Sequence, residues 1–310
     1  MINGNTTLLK SRLLFTIICL LLSASCTKNS ATSDSSNQKF NEVTLFGTEK
    51  RSLHSNIVNE DFEINISFPY SYHKGDETYP VLYCLDANRS FGLVSNVVNI
   101  LNIPNKEIPE ILVVGIGYPI KGMEDWGAWR HRDLTPTSNP EADKEWEAFL
   151  SQYSGRDDIV AKSGGAHKFL QFIYDELIPF IESNYRVSST DRALMGYSLG
   201  GLFTLYTVFH HPELFQRYFA GSPAIGWDNW ILSKYENEYA STHKDLPVRL
   251  FISAEDMESE TMVEGMKNIP AQLQSRSYPS LELETHIFEN ETHASGYAAA
   301  VSRGLKILYK

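Results

Sequence analysis

Apolar side chains along this chain change their spacing near position 169. Before it they come in short runs rich in β-branched and aromatic residues, at 43–46, 62–68, 81–85 and 111–114, the signature of β-strands. From there Phe169, Ile173, Leu177 and Ile181 recur at helical spacing, in a segment that ends near Asn184 and Tyr185. Strands at 193–197, 218–220, 248–252 and 283–288 then alternate with helices over 198–209, about 262–273 and about 295–308. Such alternation predicts an α/β fold, a mainly parallel sheet with helices on both faces, whose ligands bind at the carboxyl ends of the strands. Between the 111–114 strand and the Phe169 helix lies a stretch too long for a plain connection. It carries Trp126, Trp129, Arg130, His131, Arg132 and Trp146, and we read it as a cap over a substrate site. No internal repeat is visible.

The first residues follow a different pattern. Lys10 and Arg12 precede an apolar run over 13–22, then small residues Ser23, Ala24 and Ser25, then Cys26. The run is about half the roughly 20 residues that span a bilayer, so the segment reads as an export signal of the lipoprotein type over residues 1–25. Cys26 is the expected lipidation site and new N-terminus, with Ser23 standing where leucine is usual. Residues 26–42 hold Ser, Asn and Thr in place of large apolar side chains until Phe40, and read as a flexible tether. The catalytic domain is then expected over 43–310. An exported protein anchored to a bacterial envelope membrane follows from this reading.

Composition narrows the function. The formal net charge is −11, and removal of Lys10 and Arg12 with the signal takes it to −13, which disfavours nucleic acid as a partner. Of Cys19, Cys26 and Cys84, only Cys84 would remain as a free thiol, so no disulfide framework exists. Cys84 sits inside an apolar strand and reads as a buried small hydrophobe.

The chemistry centres on Gly196-Tyr197-Ser198-Leu199-Gly200, a G-x-S-x-G pattern placed where a strand turns directly into a helix. That context marks a nucleophile elbow, in which a strained turn exposes the serine and glycines relieve crowding. A serine hydroxyl needs a base, expected after the last strand; His293 fits, whereas His286 lies within the strand itself. The acid should follow the 248–252 strand, where Glu255, Asp256 and Glu258 all qualify and spacing does not choose. Two backbone N–H groups are needed to hold the oxyanion: that of Leu199, and one from the loop after the 81–85 strand, Asn88 first and Ala87 next. Nothing here requires a metal or a cofactor.

These segments resemble the bacterial putative-esterase family of α/β-hydrolases, which includes feruloyl and acetyl-xylan esterases, S-formylglutathione hydrolase and siderophore esterases. The likeness runs over about 43–310 and is carried by YPVLYCLDAN (79–88), VVGIGYP (113–119), RHRDLTP (130–136), GGAHKFLQFIYDELIPFIESNYRV (164–187), GYSLGGLF (196–203) and AGSPAIGW (220–227). The RDLTP and GGAHKFLQF segments together resemble the siderophore-esterase branch. The resemblance implies Ser198 as nucleophile and His293 as base. Laying FISAEDME on the branch's S-V-G-E-x-E pattern implies Glu258 as the acid, with Asp256 second and Glu255 where glycine is usual. The implied function is a serine esterase working through an acyl-enzyme on a small-molecule ester. Siderophore lactones come first, with Arg130, Arg132 and Trp129 as candidate substrate-binding residues. Feruloyl or acetyl esters of carbohydrate, and a non-catalytic binding lipoprotein, are the alternatives.

Overall fold

Eight strands form one sheet in the order β1-β2-β4-β3-β5-β6-β7-β8. The computed structural model describes residues 43–103 and 106–310; the export signal, Cys26 and the tether lie outside these residues. Residues 45–310 make up one compact unit. Among the described residues no helix is long and apolar enough to cross a membrane.

The strands are β1 (Thr48–Ser55), β2 (Glu60–Ser67), β3 (Tyr79–Cys84), β4 (Leu112–Gly117), β5 (Val187–Tyr197), β6 (Arg217–Gly221), β7 (Arg249–Glu255) and β8 (Glu282–Phe288). The first pairings, β1 with β2 and β2 with β4, are antiparallel; every later one is parallel. β4 is buried at all six positions and β3 at five of six, as strands covered on both faces must be. Side chains that alternate along them feed two cores. Val81, Tyr83, Val114, Leu194 and Ile252 face one side; Leu82, Cys84, Val113, Met195 and Phe251 face the other. Cys84 is buried, as expected.

The helices are α1 (Ala87–Asn102), α2 (Met123–Asp133), α3 (Pro140–Ser154), α4 (Ala166–Phe172), α5 (Ile178–Asn184), α6 (Leu199–His210), α7 (Ile231–Thr242), α8 (Glu260–Arg276) and α9 (Tyr297–Leu308). α1 and α9 cover the second core through Phe91, Val94, Val98, Val301 and Leu305. α4, α5, α6 and α8 cover the first. Helices therefore lie on both faces, and α1 and α6 leave the carboxyl edge of adjacent strands β3 and β5 toward opposite faces.

Three expectations change. The 43–46 run is no strand: Phe46 is 93% exposed, and the strand is β1, whose polar TEKRSLHS sequence suits an edge in contact with water. The single helix expected from Phe169 breaks into α4, a π-helical turn at Ile173–Leu177 and α5. Pro179, at the start of α5, lacks the N–H that a continuous α-helix needs there, and widening the preceding turn accommodates it. The long stretch read as a cap contains α2 and α3, with His131 stacked on Trp146 at 5.7 Å and bonded to Asp143 at 2.9 Å.

Candidate active site

β5 ends at Tyr197 and α6 begins at Leu199, leaving Ser198 alone at the turn with φ 61° and ψ −119°. A residue with a side chain rarely adopts positive φ, and holding it there costs about 1–3 kcal/mol. The neighbouring strand supplies the restraint: the Ser198 N–H donates to the Gly221 carbonyl at 2.9 Å, and the Ser198 carbonyl accepts from Leu202 and Ala224, each at 3.0 Å. At Gly196 a Cβ would stand 2.1 Å from the Gly200 carbonyl oxygen, so only glycine fits. The same reason does not hold at Gly200, where a Cβ would meet nothing nearer than 3.4 Å. Gly201 is the crowded position, 2.7 Å from the Gly221 oxygen.

His293 lies in the turn between β8 and α9. Its Nδ1 is 2.5 Å from Glu258 Oε1, and the imidazole is about half exposed while the Glu258 side chain is 2% exposed. Ser222, the residue after β6, donates to the same Glu258 oxygen and lies 3.2 Å from Nδ1. The Tyr197 hydroxyl donates to the His293 carbonyl at 2.8 Å, tying the residue before the elbow to the turn that carries the imidazole. With Nδ1 engaged, Nε2 makes no hydrogen bond among the described residues. Burial drives the Glu258 carboxyl up, but the hydrogen bonds from His293 and Ser222 outweigh it and hold the group below its ordinary pKa. Such a pair fixes the tautomer of the imidazole and stabilises its positive charge.

The three carboxylates left open by the sequence are thus separated. Asp256 is exposed and its carboxylate makes no hydrogen bond or ion pair among the described residues, so it does not join the site; the turn that follows β7 carries Glu258 to His293 instead. Glu255, the last residue of β7, is fully buried, and burial together with the neighbouring Glu258 pushes its carboxyl up to about 8. His286 stays on β8 with its ring edge-on to Phe288 at 4.5 Å. Glu255, Glu258 and His293 place one donor atom each within 4.8 Å, but a 2.5 Å separation between Nδ1 and Oε1 is that of a shared proton, not of two ligands around a cation.

Beside the elbow, the loop after β3 turns at Asp86 with φ 56° and ψ 38°. Arg130 grips Asp86 with two bonds, 2.8 and 2.9 Å, Trp126 Nε1 adds a third at 3.1 Å, and the guanidinium lies 4.8 Å from the Trp126 ring. The Asn88 side chain clasps the backbone of Tyr118 in both directions, at 2.8 and 2.9 Å. These ties fix the first turn of α1, whose Ala87 and Asn88 N–H groups have no acceptor among the described residues. Asp86 Oδ2 lies 3.4 Å from where a Cβ of Gly200 would stand, so this turn and the first turn of α6 lie side by side. Two helix N-termini therefore offer free N–H donors, Leu199 among them, at one edge of the sheet.

The substrate-binding expectations need correction. Arg130 is 6% exposed and held by Asp86, Arg132 pairs with Asp133 and Glu60, and Trp129 packs edge-on against Tyr118 at 5.6 Å. Both arginines are paired within the protein because an unpaired guanidinium is costly to withdraw from water, and Trp129 is held by aromatic packing. The roles of Ser222, Tyr197 and the Asp86–Arg130 clasp were not anticipated, although Ser222 stands in the AGSPAIGW segment and Asp86 in the expected oxyanion loop.

Comparison with known proteins agrees with this fold. Residues 55–249 match the family model described as Putative esterase. The ferri-bacillibactin esterase BesA of Bacillus subtilis strain 168 is 34% identical over 275 residues, covering 86% of this chain and 91% of that protein. The siderophore triacetylfusarinine C esterase of Aspergillus fumigatus is 26% identical over 282 residues, covering 81% and 89%. Among solved structures, the BES protein from Bacillus cereus superposes with a TM-score of 0.72 at 28% identity, covering 88% of this chain and 99% of that one.

Proposed function

Because the chain belongs to the Putative esterase family and is a serine esterase of the α/β-hydrolase type, we propose that it hydrolyses the lactone esters of siderophores through an acyl-enzyme formed on Ser198. The observation that carries the site assignment is the His293–Glu258 bond at 2.5 Å set beside the Ser198 elbow. In this mechanism His293 Nε2 accepts the Ser198 proton as Oγ attacks the ester carbonyl, and Glu258 stabilises the imidazolium. The N–H groups of Leu199 and Asn88, with Ala87 beside it, receive the developing oxyanion. Collapse expels the alcohol, which takes the proton back from His293. Water, deprotonated by His293 in turn, then cleaves the acyl-enzyme and frees Ser198.

The two relatives described above are named as a ferri-bacillibactin esterase and a siderophore triacetylfusarinine C esterase, which supports siderophore lactones over feruloyl or acetyl esters of carbohydrate and over a binding protein without activity. Arg89 replaces Arg130 and Arg132 as the cation offered to an anionic iron complex. It is exposed at the start of α1, has no ion-pair partner among the described residues, and lies 5.2 Å from the Trp126 ring. Initial rates on a catecholate trilactone and on methyl ferulate test the substrate class. Preference for the trilactone by two orders of magnitude or more in kcat/KM is expected; equal or reversed preference overturns the assignment.

We also propose export and attachment to a membrane through a lipid on Cys26, supported by the basic residues, short apolar run and small residues before that cysteine. Cys26→Ala should move the protein from the membrane to the soluble fraction; unchanged membrane recovery contradicts the anchor.

A further inference from the structure

Glu255 is the one buried carboxyl of the acid loop that the mechanism leaves without a task. It ends β7 with no exposed surface, and neither of its carboxyl oxygens has a hydrogen-bond partner by geometry; the second oxygen of Glu258, Oε2, is buried and equally unpartnered. One oxygen of each glutamate and a ring nitrogen of His293 lie within 4.8 Å of one another. The fold makes room for this side chain: a Cβ on Gly296, in the turn leading to α9, would stand 2.3 Å from Glu255 Cγ. Buried orphan oxygens on two neighbouring carboxyls are costly unless one carries a proton and the other accepts it.

We propose that Glu255 is a positioning residue, held as the neutral acid and donating its proton to Glu258 Oε2, so that the acid of the triad is a carboxyl pair with one negative charge. This rests on the reading of Ser198, His293 and Glu258 given above. With Oε1 turned to His293 and Ser222 and Oε2 held by Glu255, the Glu258 carboxylate has both oxygens fixed and cannot rotate away from the imidazole. The other titratable groups around Glu255 are His293 and the Tyr197 hydroxyl, and the Ser222 hydroxyl adds a donor. Two adjacent buried carboxyls do not ionise together readily, the same logic by which paired carboxyls share one proton in other enzymes. Burial and Glu258 hold the Glu255 proton up to about pH 8. Above that pH a second negative charge forms beside Glu258 and the pair is driven apart.

The sign for stability follows. The unfolded chain releases this proton near pH 4.3 and the folded chain keeps it to about pH 8, so folding is progressively penalised as pH rises between the two. Glu255→Gln keeps a donor and the shape but cannot ionise. Three readouts test the proposal on the full-length protein. Infrared difference spectra between about pH 6 and about pH 9.5 should show a protonated-carboxyl band lost with a midpoint near pH 8, and Glu255→Gln should lack it. The melting temperature of Glu255→Gln should match wild type near pH 4 and exceed it by several degrees at pH 8. The pH profile of kcat/KM on a p-nitrophenyl ester should fall above about pH 8 in wild type and stay level in Glu255→Gln. Glu255→Leu, which has no donor, should lose about tenfold at pH 7, most of it restored by glutamine. Absence of the band with a pH-independent melting difference overturns the proposal. So does a Glu255→Gln variant that is folded and inactive while Glu258→Gln turns over, because Glu255 would then be the ionised acid. A folded wild-type protein without esterase activity would sink the functional reading instead, and the infrared and melting measurements would still decide the state of Glu255.

Discussion

Ser198, His293 and Glu258 come from three separate turns, and what unites them is a set of short hydrogen bonds around one carboxylate. Glu258 Oε1 receives both His293 Nδ1 and Ser222, so a single oxygen orients the imidazole and is itself oriented. Glu258→Gln keeps the shape but removes the charge that stabilises the imidazolium. It should lower kcat by about 10²–10⁴ in steady-state assays, whereas Asp256→Asn should stay within about twofold. A more damaging Asp256→Asn contradicts the assignment. Because the Glu258 carboxyl is held below its ordinary value, its contribution to stability is present above about pH 4.3 and is lost as pH falls further. Ser198 and His293 were legible in the sequence because each has a positional signature, an elbow between strand and helix and a turn after the last strand. The acid was not, since Glu255, Asp256 and Glu258 are carboxylates within four positions of one another, and the path of the turn after β7 decides which of them reaches His293. That path depends on contacts from distant parts of the chain, which composition does not encode.

At the scale of elements, the active edge is built by the β3–α1 and β5–α6 junctions, held together by the Asp86–Arg130 clasp. Arg130 comes from α2, so a helix outside the sheet fixes the loop that carries the second oxyanion donor. Arg130→Met leaves a largely buried carboxylate without its cation. A loss of about 3 kcal/mol of stability by thermal unfolding and at least a tenfold fall in kcat/KM are expected. Wild-type values for both would mean the clasp neither supports the fold nor shapes the loop. β3, β4, β6 and β7 were readable from their apolar runs, because strands buried on both faces carry little else, whereas β2 and β8 showed through apolar residues at alternate positions. α1 was missed although Phe91, Val94, Val98 and Leu101 fall at helical spacing, because Asn and Ser among them read as loop. α2, α3 and α7 escaped for the opposite reason: their exposed faces are so polar that few apolar positions remain to show a period.

Across the whole molecule, a sheet with helices on both faces converges its reactive groups at the carboxyl ends of β3, β5, β6 and β7 and in the turn after β8, where free helix N–H groups and a strained serine meet. The family resemblance pointed to the class of reaction, because its motifs are the junctions that build this edge. The roles of Arg130 and Arg132 were misread because a sequence shows a cation but not the carboxylate that neutralises it. The central claim is that Ser198 is an activated nucleophile, and the most direct measurement is fluorophosphonate labelling of the full-length protein in detergent, with peptide mapping, beside folded Ser198→Ala. The account predicts a single adduct on Ser198 that is absent from the variant; an unlabelled folded wild-type protein, or an adduct that persists in Ser198→Ala, would contradict it.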